Sequence, residues 1–223
     1  MRARRNRVMA MRFVFLNLGL MLMGLATAVM LAARLGVSPW AIFHEGVGLS
    51  TGISHGRASQ TVGLVILTAS SLWLKQRPGI GTVLNMVLVG IWIDFFRTQP
   101  WLMAPEALGA RIVQLAVATV VYAFATALYL AADLGAGPRD ALMLGAARSL
   151  KAPIGAVRST IEVTALAGGW ALGGPVGVGT VVYAMTVGPL IQWFLRLLRG
   201  QPRRPSAVDT APAAAAQGAT GEP

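Results

Sequence analysis

Six apolar runs of helical length order the chain, at about 13–33, 58–74, 81–96, 112–132, 155–172 and 178–195. A hydrocarbon core of ~30 Å takes ~20 helical residues, fewer where flanks snorkel or the helix sits inside a bundle. The third run, at 16 residues, is the shortest. Two shorter segments, 38–50 and 138–151, interrupt the series. The pattern predicts an all-α polytopic membrane protein.

The two short segments open on related phrases, "LGVSPW" (35–40) and "LGAGPRD" (134–140), 99 positions apart. The match is wider than the phrase. Arg12, Leu16, Thr27, Ala28, Leu31 and "AARLG" (32–36) recur as Arg111, Leu115, Thr126, Ala127, Leu130 and "AADLG" (131–135). Gly46, Gly56 and Thr61 recur as Gly145, Gly155 and Thr160. One residue is then deleted, so that "GIGTV" (79–83), Gly90 and Asp94 match "GVGTV" (177–181), Gly188 and Gln192 at an offset of 98. The chain reads as a tandem duplication, with repeats over 12–110 and 111–200.

Each repeat holds three long helices and one short element. Three crossings turn the second copy upside down, giving inverted repeats; four would leave the copies parallel. Lys/Arg placement does not choose between six and eight crossings, because their distribution hardly changes. Length does: 13 or 14 residues reach only ~20 Å. Polarity agrees, since 138–151 carries Arg139, Asp140, Arg148 and Lys151, each costing ~2.5–3.5 kcal/mol at a bilayer centre. The short elements are therefore expected to be re-entrant or interfacial, with six crossings and both termini cytoplasmic.

Composition fits this frame: 55% hydrophobic residues, 12% charged and a mean hydropathy of +0.63. Without cysteine, thiolate metal sites, disulfides and a cysteine nucleophile are excluded, and two histidines are too few for a histidine-rich metal site. The net charge of +11 comes from short basic clusters flanking apolar runs, a juxtamembrane collar rather than a nucleic-acid surface. Residues 1–11 form a basic cytoplasmic N-terminus. The start resembles a secretory signal, with Ala-Thr-Ala at 26–28, but its apolar run is too long and has an internal twin. The Pro- and Ala-rich segment 201–223 is expected to be a disordered cytoplasmic tail.

Within each phrase, Gly36 or Gly135 is expected to end the long helix, Ser38 or Gly137 to cap the next, and Pro39 or Pro138 to take its first position. Asp140 then suits the positive end of the helix dipole. Thr82 and Thr180 open the last helix of each repeat. Such breaks have two readings: caps and hinges, or anion-binding helix starts at a repeat interface. In the inverted arrangement 35–40 shares a face with 177–180, and 134–140 shares the other with 79–82.

The other candidates are ionisable residues inside apolar runs. Arg158 and Glu162 share a helix face, as a structural pair or as part of a site. Asp94 and Arg97 form an interfacial pair in the bland reading, and Gln192 is the counterpart of Asp94. His44, Glu45 and His55 are expected in an exposed loop, and Asn85 is expected to bond another helix. The substrate-site candidates are thus Thr82, Asp94, Arg139, Asp140, Arg158, Glu162, Thr180 and Gln192. Nucleophile-elbow, HExxH, P-loop and GxGxxG signatures are absent, so neither enzymatic activity nor a cofactor is expected.

"LGVSPWAIFHEGVGLSTGIS", "RPGIGTVLNMVLVGIWIDFF", "ADLGAGPRDALMLG", "APIGAVRSTIEVTALAGGWALGGPVGVGT" and "GPLIQWF" resemble the YczE-type, broadly YitT-like, integral membrane proteins of bacteria. The likeness covers about 12–196. It implies a multi-helix plasma-membrane protein and carries no substrate or reaction. Where that family often has Asp after the Trp of the first phrase, this chain has Ala41, which removes a symmetric Asp pair at 41 and 140. Two functions fit: a small-solute or ion transporter with its site between the repeats, or a non-transporting accessory to a membrane or cytoplasmic partner. The lipid bilayer is the partner common to both.

Overall fold

The computed structural model describes residues 2–72, 79–135 and 137–199. These form eight helices: α1 (Arg2–Ala33), α2 (Pro39–Thr51), α3 (His55–Leu72), α4 (Ile80–Arg97), α5 (Leu108–Ala131), α6 (Pro138–Leu150), α7 (Ile154–Ala171) and α8 (Val178–Arg199). No strand occurs among the described residues. The expected elements are therefore present, with one difference: α1 begins at Arg2, so the basic N-terminal segment continues the first helix. The segment 201–223 lies outside the described residues.

Four helices are long and apolar enough to cross a membrane, over Asn6–Ala33, Ile80–Arg97, Leu108–Ala131 and Val178–Leu198. The 18-residue α3 and α7 are more polar, carrying His55, Arg57 and Gln60 in one and Arg158 and Glu162 in the other. Large apolar side chains stand uncovered around the bundle, such as Val65 at 64% and Met185 at 73% exposure. Lipid is the solvent that makes such a surface stable.

Small residues set the central packing. Gly19 of α1 lies against Ala125 and Tyr129 of α5, and Ala26, Ala28, Ala33, Ala118, Ala123 and Ala127 are buried. Close backbone approach of this kind substitutes for a hydrophobic drive that lipid does not supply. Toward the other end Gln114 Nε2 donates to the Val29 carbonyl (3.2 Å), and the Arg111 guanidinium caps α1 through the Ala33 (2.7 Å) and Arg34 (2.8 Å) carbonyls. The pairing of 19 with 125–129 and of 33 with 111 makes α1 and α5 antiparallel. By contrast α4 runs parallel to α1, with Gly24 against Trp92, and α8 runs parallel to α5, with Gly179 beside Leu115. Helix α3 is antiparallel to α4: Gly56 meets Gly90, and Gln60 Nε2 donates to the Val87 carbonyl at 2.8 Å.

The short helices change partners. Helix α2 packs on α7, and α6 packs on α3. The breaks before them make one contact twice with the copies exchanged: Gly179 N–H donates to the Leu35 carbonyl at 2.8 Å, and Gly81 N–H to the Leu134 carbonyl at 2.8 Å. The facing of 35–40 with 177–180, and of 134–140 with 79–82, is thus direct hydrogen bonding. The helix ends differ in detail from the sequence expectation. The left-handed residue that follows each long helix is Arg34 (φ 53) or Asp133 (φ 54), and Gly36 (φ 110) or Gly135 (φ 129) comes two residues later. Glycine is needed there, since a Cβ on Gly36 would also lie 2.6 Å from Thr180 Oγ1.

Candidate functional site

The N-termini of α2 and α6 meet in the middle of the bundle. Ser38 caps α2, its Oγ accepting from Ala41 N–H at 3.2 Å; Pro39 and Pro138 take the first helical positions; Gly137 caps α6 without a side chain. The second residues of the two helices touch: the Arg139 guanidinium lies 4.7 Å from the Trp40 ring centroid. Around this contact is a cavity of about 490 Å³, lined by every helix except α5's first half: Thr27 from α1, Ser59 from α3, Asn85 from α4, Tyr122 from α5, Glu162 from α7 and Tyr183 from α8 are among its walls.

Four of the sequence candidates, Arg139, Asp140, Arg158 and Glu162, line this cavity. Arg158 Nε donates to Glu162 Oε1 at 3.1 Å, so the expected pair forms, though its side chains are 57% and 38% exposed. No carboxylate lies within ion-pair distance of Arg139 among the described residues. Asp140 Oδ2, Asn85 Oδ1 and Tyr129 Oη gather around Gly137, all within 3.7 Å of where a Cβ there would stand. Tyr129 Oη also donates to the Gly135 carbonyl (2.9 Å), fixing the break before α6.

The other four candidates lie elsewhere. Thr82 and Thr180 are buried at the crossed breaks and do not line the cavity; Thr82 Oγ1 accepts from Gly79 N–H at 3.2 Å. Gln192 is exposed on α8. Asp94 is a cap borrowed from another helix. It accepts from Gly56 N–H at 2.8 Å and from Ser54 Oγ, satisfying donors at the start of α3. It does not pair with Arg97.

Arg97 instead forms a fork on Glu45, at 2.8 and 3.1 Å, and Glu45 Oε2 lies 2.7 Å from His55 Nδ1. The exposed loop expected for His44, Glu45 and His55 is therefore corrected: both histidines are 3% exposed, with rings 5.7 Å apart. The apolar run of α2 folds back into the protein, which buries the polar residues of its far side. Burial, with Arg139 and His55 adding positive charge, holds the His44 imidazole well below its usual pKa, so it is neutral. Burial pushes Glu45 up, but its hydrogen bonds to His55 and Arg97 outweigh this and bring its carboxyl down to about 2. Among the described residues no group of three His, Asp or Glu could hold a metal ion.

A model for a family described as a "Family of unknown function (DUF6198)" matches residues 10–196. The chain belongs to this family. As a DUF6198 member it is 34% identical over 188 residues to an uncharacterized protein of Haemophilus influenzae, covering 83% of this chain and 84% of that one. It is 32% identical to the uncharacterized membrane protein YczE of Bacillus subtilis, over 84% of this chain and 86% of YczE. It is 21% identical to the uncharacterized protein YyaS of the same organism, over 84% and 94%. No solved structure matches the chain. The likeness to YczE and the apolar helices together make this DUF6198 protein an integral membrane protein.

Proposed function

We propose that the protein is a multi-pass bacterial plasma-membrane transporter of an ion or of a small solute with an anionic group, held in the central cavity between two inverted repeats. Six crossings are assigned to α1, α3, α4, α5, α7 and α8, with both termini cytoplasmic. The antiparallel run of the matched helices α1 and α5 supports inversion. The course of α3 back along α4, through the same depth, supports a crossing by α3 despite its polarity.

The observation that carries transport is an inequality between matched seams. In the first copy Gly56 and Gly90 press together, so that a Cβ on Gly56 would lie 2.1 Å from the Gly90 carbonyl oxygen. Their counterparts Gly155 and Gly188 have nothing within 4 Å of an added Cβ. Packing comparable to that of α3 on α4 does not join α7 to α8, and the cavity wall runs along that gap through Arg158, Glu162, Tyr183 and Gly188. Two copies of one design in two arrangements around a shared cavity are what alternating access needs: interchange would close one mouth and open the other. An anionic group suits Arg139, which has no carboxylate within ion-pair distance among the described residues, and the two helix starts beside it.

The test is a thermal-stabilisation screen of the purified full chain against organic anions and inorganic ions, since a ligand of the native state raises stability. Saturable stabilisation that disappears in Arg139→Gln supports the reading. Stabilisation that persists in that variant moves the site elsewhere. Silence across the panel favours the accessory role, with a partner helix seated in the α7–α8 seam. With a ligand in hand, Arg158→Met combined with Glu162→Leu separates scaffold from site: a folded but unresponsive protein makes the pair functional.

A further inference from the structure

Among the described residues, His55 alone belongs to both the wall of the central cavity and the wall of a surface pocket lined by Glu45, Ser54, Arg57, Asp94 and Arg97. Its side chain is 0% exposed, so the imidazole is a partition between the two. The two nitrogens are in different situations. Nδ1 faces Glu45 Oε2 at 2.7 Å, whereas the buried Nε2 has no hydrogen-bond partner. A carboxylate clamped by Arg97 only accepts, so the shared proton sits on Nδ1. Nε2 then carries a bare lone pair. A buried nitrogen left this way is an exception in folded proteins and calls for an occupant.

The charged and titratable neighbours are His44 and Glu45 from α2, Arg57 from α3 itself, Asp94 and Arg97 from α4, and, across the cavity, Tyr122 and Tyr129 from α5, Arg139 and Asp140 from α6, Arg158 and Glu162 from α7 and Tyr183 from α8. Asp94 is committed to capping α3 and Arg97 to Glu45. His44, 5.7 Å away, has no carboxylate bonded to it. Among the described residues, His55 is the base with a fixed counter-charge that reaches both pockets; Glu162, paired with Arg158, lines the central cavity alone. The second copy lacks the arrangement: Leu144, Ile154 and Leu195 stand where Glu45, His55 and Arg97 do. The group is thus present in one half only, unlike the crossed breaks that both halves share.

We infer that His55 is a proton-binding site joining the two pockets, its Nε2 taking a proton from water in the central cavity and its Nδ1 releasing one to the surface pocket. This rests on the transport reading and names the proton as its coupling ion. In the outward sense a cavity hydronium gives its proton to Nε2, forming an imidazolium paired with Glu45. The Nδ1 proton then leaves to pocket water, giving an Nε2–H ring. Rotation about Cβ–Cγ turns the bare Nδ1 toward the cavity and Nε2–H toward the pocket. A second cavity proton enters on Nδ1 as the first leaves from Nε2, and the reverse rotation returns the Nδ1–H ring to its starting place. Inward movement reverses each step. Glu45 is a positioning residue that sets the tautomer, and Arg97 holds Glu45.

The probe is the proton itself, so no solute is needed. In protein carrying ¹⁵N-histidine in lipid vesicles, His44→Phe and His55→Phe assign the two rings. The neutral His55 ring is expected to carry its proton on Nδ1 and to take a second on Nε2 when the vesicles are acidified; Glu45→Gln should abolish the Nδ1–H preference. In vesicles loaded with a pH dye under a potassium diffusion potential, the wild type should pass protons about tenfold or more faster than His55→Phe, as loss of a positioned proton-transfer group predicts. His44→Phe should keep the flux. His55→Gln replaces the phenylalanine variant if that one does not fold. A ring that takes no proton on Nε2 as the vesicles are acidified, or equal flux with and without His55, overturns the inference. Either result leaves the solute site standing, and a failed solute screen leaves this site standing.

Discussion

Arg139 and Trp40, whose guanidinium and ring lie 4.7 Å apart, occupy the same position in the two copies of the repeat, 99 residues apart. A residue can touch its own counterpart only close to the axis that relates the copies. In the proposed inverted arrangement the contact lies at that axis, where the second residues of the two short helices meet.

A cation over an indole face is worth about 0.5–2 kcal/mol. Trp40→Leu keeps an apolar side chain and loses the face. A double-mutant cycle of Trp40→Leu with Arg139→Gln, read by denaturant unfolding in detergent, should give a coupling of about 1 kcal/mol. Coupling below the error of the measurement would show that the two groups are merely adjacent.

The glycine seams predict opposite outcomes for one chemical change. Gly56→Ala pushes a methyl to 2.1 Å from the Gly90 carbonyl oxygen and must part α3 from α4. Overpacking of this kind costs about 1–3 kcal/mol. Gly155→Ala meets nothing within 4 Å and should gain about 0.5–1 kcal/mol from helix propensity. If Gly155→Ala is the more harmful of the two by thermal unfolding, the α7–α8 seam is closed in solution and the inequality of the copies is lost.

Periodicity located both kinds of helix because length and apolar content are local properties. The repeat went further, since matched glycines at 36, 79, 135 and 177 already paired the breaks that hydrogen-bond. What escaped was burial of polar residues. His44, Glu45 and His55 sit in a short, glycine-rich, mixed segment that in isolation reads as a loop. Their partner Arg97 is 52 positions from Glu45, and no local pattern links them. The spacing of Asp94 and Arg97 suggested a pair on one helix, but an orphaned N–H at Gly56 and a free carboxylate at Glu45 outcompeted it. The asymmetry of the seams was equally invisible, because the four glycines are identical in sequence.

Glu45 should make stability fall in acid. Its folded carboxyl, at about 2, lies below the ordinary 4.5. The unfolded chain therefore binds the proton first as pH drops. The stabilisation is complete above about 4.5 and fades as pH falls from there toward 2. Thermal unfolding across that window should show a wild-type decline that Glu45→Gln reduces. Parallel declines would assign the acid sensitivity to other carboxylates.

Sidedness can be read with single cysteines, because the chain has none of its own. Gly52 is exposed after α2 at the Arg97 end, with open space around it and a left-handed backbone (φ 76) that a cysteine there adopts with some strain; Asp133 is exposed at the opposite end, after α5. Gly174, opposite in sequence yet at the Arg97 end, is unsuitable, since a Cβ there would lie 2.3 Å from the Ile42 carbonyl oxygen. With six crossings and cytoplasmic termini, an impermeant thiol reagent applied to intact cells should label Gly52→Cys and spare Asp133→Cys until the cells are opened. Gln76, outside the described residues, should behave like Asp133. Labelling of both ends from outside would mean that the bundle does not span the bilayer in this direction. Labelling of Asp133→Cys alone would keep the fold and reverse its orientation, placing the His55 pocket on the cytoplasmic face.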